Sequence, residues 1–192
     1  MATAAAETAP EPPRSISGTW LLVAGAVGAL VALTLGFYGS AHEPATDLAI
    51  TLGFADTITM KVWLSSVAVL FALVQVSSAL WMYGKLPIAG RPAWLGNAHR
   101  ISGRLAFLIS LPVAYHCLYQ LAFQTTTTRV LVHSLLGCLF YGAFATKVTI
   151  IRAPGRAGRW LPIAGGVVFA VLIGVWVTSG LWFVATSGIP SP

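Results

Sequence analysis

Five long apolar runs, separated by short polar or Pro/Gly-containing segments, make up most of this chain. They cover about residues 17–38, 61–83, 99–123, 129–151 and 160–186. Each is close to or above the roughly 20 apolar residues that a helix needs to cross the hydrocarbon core of a bilayer. The pattern predicts an all-α fold, an integral membrane bundle of five transmembrane helices over residues 17–186. Residues 1–16 are rich in Ala and Pro, show no apolar period, and read as a disordered tail. Residues 187–192 form a short tail at the other terminus. The first run is too long for a signal-peptide core and is expected to remain as an anchor. Between the first two runs, the apolar stretch 48–54 is too short to span and can lie along the interface as a lid. Pro112 sits near the middle of the third run, where a proline usually kinks a helix.

Composition and charge agree with this pattern. Apolar residues are 57% of the chain and charged residues 8%, against about 25% charged in ordinary soluble domains. The net charge of +6 does not form a nucleic-acid patch, because the basic residues lie in loops and at the ends of runs. With the N-terminus inside, Arg14, Lys85, Arg91, Arg100, Arg104, Lys147, Arg152, Arg156 and Arg159 fall on the inner side, and only Lys61 and Arg129 on the outer. This asymmetry predicts an N-in, C-out, multi-pass protein of the cell (cytoplasmic) membrane. Cys117 and Cys138 lie inside apolar runs without CxxC spacing and read as small buried residues.

No Asp or Glu follows Asp56, so spans two to five contain no carboxylate. That argues against hydrolytic acid–base chemistry and against carboxylate proton relays. The chain carries no hydrolase or transferase signature, and an oxidoreductase component is the enzymatic role left open. Histidines and Gln75 are the main polar groups left at depth, and a histidine in a span is a functional candidate by default. His116 in the third run and His133 in the fourth lie about 7 and 10 Å to the outer side of the midplane, at 1.5 Å per residue. The short link 124–128 predicts that these two helices are antiparallel neighbours. Two histidines at similar depth on facing helices are the arrangement that holds a haem iron. Gly137, one turn from His133, leaves room for a flat macrocycle, and Arg129, one turn the other way, can pair with a propionate. Without a CxxCH motif the haem would be non-covalent, of b type.

Two other readings stay open. His42, His116 and His133 can form a copper or zinc site, or the histidines can simply stabilise packing within a larger membrane complex. His99, at the inner end of the third run, faces about 100° away from His116 and has no inner histidine partner. With Arg100 and Arg104 it forms a run, HRISGR, suited to a lipid or quinone headgroup.

The stretches NAHRISGRLAFLISLPVAYHC (97–117) and VLVHSLLGCLFYGAFATK (130–147) carry a resemblance. Over about residues 20–186 the chain resembles an uncharacterised family of small actinobacterial membrane proteins. More loosely, the HRxxGR start and outward histidines resemble cytochrome b561 and ferric-reductase-type transmembrane domains. That likeness implies haem b held by histidines of neighbouring helices, electron transfer, and a quinone or an extracytoplasmic redox protein as partner. The two-haem histidine set of those families is not present, so one haem is the expectation.

Overall fold

Lipid offers no water to backbone amides, so an apolar run that enters it must satisfy its own hydrogen bonds as a helix. The computed structural model describes residues 15–45, 49–155 and 157–191, and these runs are helical in it. The elements are α1 (Gly18–Ala41), α2 (Thr57–Met82), α3 (Leu95–Tyr115), a π-helical turn π1 (His116–Gln120), α4 (Thr128–Arg152), α5 (Trp160–Trp176), a second π turn π2 (Val177–Leu181) and α6 (Trp182–Ser187). With π1 continuing α3, and π2 and α6 continuing α5, there are five spans of 24 to 28 residues. At 1.5 Å per residue each exceeds the ~30 Å hydrocarbon core. The chain is a multi-pass membrane protein. Most of the expected tail lies outside the described residues, as does the start of the expected lid at Leu48.

Local chemistry sets the helix starts. The Ser17 hydroxyl accepts the Trp20 amide, the Asp56 carboxylate accepts the Thr59 amide at 2.7 Å, and the Thr127 hydroxyl accepts the Val130 amide. Each satisfies an amide that the first helical turn leaves without a partner. The Thr59 amide also holds the Asp56 carboxylate below its ordinary pKa. Pro112 lies within α3 without ending it, and α geometry gives way four residues later at π1.

The spans form a ring. α1 packs along α4, α4 along α5, and α2 along α3, with lighter contact between α2 and α5 and between α1 and π1. The expected α3–α4 pair is therefore corrected. The short link carries the chain across the bundle, and the two helices meet through side chains rather than by close backbone packing. Phe107 stacks on Phe144 at 4.2 Å between ring centroids, and the Ser110 and Tyr141 hydroxyls lie 3.0 Å apart. The close partner of α4 is α1, because glycines face each other there. A Cβ on Gly142 would lie 2.5 Å from the Gly28 carbonyl oxygen. Small residues allow this approach, which is how helices pack in lipid. Val69, Ala72, Phe140, Val171 and Leu172 fill the contact of α2, α4 and α5. Leu22, Leu30, Leu33 and Phe37 stay exposed along α1, as a surface facing lipid requires.

Candidate functional site

His133 projects from the second turn of α4 toward the far end of α5. Its Nδ1 lies 3.3 Å from the Val175 carbonyl oxygen and 3.1 Å from the Thr178 hydroxyl. A carbonyl oxygen can only accept, so Nδ1 carries the proton and Nε2 of the neutral ring keeps its lone pair. Thr178 donates its own hydrogen to the Gly174 carbonyl at 2.8 Å, which leaves its oxygen free to accept from the ring. Among the described residues Nε2 has no hydrogen-bond partner.

Two cavities adjoin this ring. One, of about 200 Å³, lies between π1 with its following residues and α4, and is lined by Cys117, Leu121, Val130, His133, Gly137 and Tyr141, among others. The second, of about 170 Å³, reaches across to α2 and π2 and is lined by Lys61, Ser65, Cys117, His133, Ser179 and Gly180, among others. Cys117, Leu121 and His133 line both. Together the cavities reach the lower end of the ~300–1,000 Å³ usual for small-molecule sites. Gly137 leaves its place open, since nothing lies within 4 Å of where a Cβ would stand. Both π turns border this space, and such turns are frequent at functional sites.

His116 is placed differently. It is fully buried at the start of π1 and lines neither cavity. Its Nε2 donates to the Ile50 carbonyl at 2.7 Å, and its Nδ1 bonds the Gln120 side chain. Both ring nitrogens are thus engaged, and the residue ties α3 to the segment before α2. That segment is the described part of the expected lid.

The three-histidine metal site is corrected as well. His42 is stacked between Tyr38 and Tyr119, at 5.1 and 4.8 Å between centroids, away from both cavities. No group of three or more His, Cys, Asp or Glu able to hold a metal ion occurs among the described residues. Arg129 is also committed elsewhere. Its guanidinium donates to the Thr178 carbonyl at 2.6 Å and lies 3.7 Å over the Trp182 ring.

At the opposite, Arg-rich end, His99 Nδ1 lies 2.9 Å from the Ser78 hydroxyl and 3.1 Å from the Gln75 carbonyl oxygen. The Gln75 amide donates to the His99 carbonyl, and Lys147 reaches Gln75 Oε1 at 3.4 Å. This polar knot joins α2, α3 and α4. Arg100 and Arg104 are exposed on the first turns of α3.

Residues 21–191 match DUF6529, a family of unknown function. The chain belongs to this family. The match takes in four spans whole and the first from residue 21 onward, so the cavities and the His133 tie lie within the family's domain. No curated protein and no solved structure matches the chain.

Of the residues singled out from the sequence, His133 and Gly137 line the first cavity, whereas Lys61 and Thr178 were not singled out as site residues, nor were the two π turns. Thr178 carried a readable signal, as a hydroxyl on the fifth run at about the depth of His133. The π turns carried none, because local composition does not mark a change in hydrogen-bond register.

Proposed function

We propose that this protein is a membrane b-type cytochrome that binds one non-covalent haem at His133 and passes electrons to or from a membrane or extracytoplasmic partner. The carrying observation is the His133 ring. Its Nδ1–H is fixed by Val175 and Thr178, while Nε2 has no partner beside an apolar cavity. Fixing one imidazole nitrogen through a backbone carbonyl is how proteins set the tautomer of a metal-ligating histidine. The open place at Gly137 and the apolar walls suit a flat macrocycle. When bound, haem supplies a one-electron carrier, and the protein tunes it through axial ligand, hydrogen bonding and burial. With the orientation set by the basic residues, this site is in the outer half of the cell membrane.

His116, the other axial ligand expected from sequence, serves in the present geometry as a tie to Ile50. His133 is then the single protein ligand. Full-length protein purified in detergent from haem-replete cells tests the reading by its optical spectrum and haem content. About one haem per chain is expected, and its loss in His133→Ala. Wild-type protein without haem, or His133→Ala with an unchanged spectrum, refutes it. A six-coordinate low-spin spectrum that disappears in His116→Ala brings His116 back as the second ligand.

A further inference from the structure

The two cavities at His133 differ in chemistry. The one beside Gly137 has no charged lining residue among those described and includes Leu118, Leu121, Phe123 and Val130, while the one toward α2 contains Lys61, Ser65 and Ser179. Among the described residues Lys61 is the only charged one lining either cavity. It comes from the second turn of α2, is half-buried, and has no carboxylate within ion-pair distance among the described residues. The two serines do not replace it as donors. Ser65 gives its hydrogen to the Val62 carbonyl and Ser179 gives its hydrogen to the Val175 carbonyl. Among the described residues nothing takes the three ammonium hydrogens of Lys61, whose electrostatic partner, the Asp56 carboxylate, lies beyond ion-pair distance, and they remain for a ligand. Gly180 keeps the walls close here, because a Cβ would stand 3.0 Å from the Ser65 hydroxyl. Arg129, the cation nearest His133 in sequence on α4, is turned to the Thr178 carbonyl and Trp182.

We propose that Lys61 is the seat for a carboxylate of the ligand whose flat apolar body lies against Gly137. The site then selects an amphipathic acid, with its acidic group toward α2 and π2 and its hydrophobic face between π1 and α4. This rests on the haem reading, in which the acidic group is a propionate. A partly desolvated ammonium–carboxylate contact is among the stronger hydrogen bonds a protein makes. Its loss is expected to lower affinity by roughly tenfold or more.

The test is a titration of full-length protein, purified in detergent after haem-limited growth, with protohaem and with its dimethyl ester. Wild-type protein should bind protohaem at least about tenfold more tightly than the ester. Lys61→Gln should bind both alike, near the affinity of the wild type for the ester. Lys61→Arg should restore the preference, and Arg129→Gln should keep it. Monodisperse elution of each variant shows that the bundle is intact. Equal binding of the two compounds by wild type overturns the lysine assignment and leaves the haem site standing. So does a preference that survives Lys61→Gln or vanishes only in Arg129→Gln. Failure of wild type to bind either compound removes the haem reading, and this assignment with it.

Discussion

The two histidines expected to act alike do different work, and the difference lies in what each ring nitrogen touches. Among the described residues His133 has one nitrogen held and one without a partner, whereas His116 has both held. Thr178→Val removes one of the two acceptors at His133 Nδ1 and leaves the Val175 carbonyl. Loss of such an outer partner commonly lowers metal affinity about 10–100-fold. The lower end is expected here, read as a weakened haem titration with the fold intact. His116→Ala takes the partner from the Gln120 side-chain oxygen and unties the Ile50 carbonyl, at about 1–3 kcal/mol. The expected signs are a lower melting temperature in detergent and faster proteolysis within residues 49–56, with haem retained. Parallel loss of haem in His116→Ala and His133→Ala would mean that the rings meet on one iron.

At the scale of helices, the glycines separate packing from vacancy. Gly142 and Gly28 meet where a Cβ has no space, while Gly137 faces open room on the same helix. Gly142→Ala therefore forces α1 and α4 apart, with an overpacking cost of about 1–3 kcal/mol. Gly137→Ala should leave the melting temperature unchanged or slightly raised, since alanine is the better helix former. Gly137→Trp should fill the cavity and exclude haem from a bundle that still elutes as folded. Equal destabilisation by the two alanine variants would contradict the Gly28–Gly142 contact as the tight one.

For the whole molecule, the five spans were legible because lipid admits few backbone solutions. Each run of about 20 apolar residues had to be one helix, and the ends fall within a few residues of the helices seen. Neighbours were harder to read. The link 124–128 suggested that α3 packs on α4, but loop length limits distance without fixing contact, and the glycine face of α4 goes to α1. The candidate site shows the same division. A histidine in a span can be read directly, while its partners Val175 and Thr178 depend on how α5 is turned in the bundle. Orientation is read from charge alone, with nine basic residues against two. A reporter fused after Pro192 should be active only outside the cytoplasm. Activity inside would move His133 and Lys61 to the cytoplasmic half.

The π turns have a consequence for chain length. In π1 the Leu121 amide reaches back five residues to the His116 carbonyl, so the turn holds one residue more than an α turn needs. The second turn, Val177–Leu181, is π-helical as well, and the Trp182 amide after it closes on the Ser179 carbonyl. Deleting a single residue from 177–181 would remove that surplus and let α5 run on in α register, with the residues beyond it close to their present orientation, because the extra residue is absorbed within the turn. Trp182 would stay near the Arg129 guanidinium, while the bulge that places Ser179 and Gly180 on the second cavity would be lost. A deletion that improves the helix should therefore reshape the second cavity and leave the bundle standing, since that cavity depends on surplus length in its walls as much as on the side chains that line it.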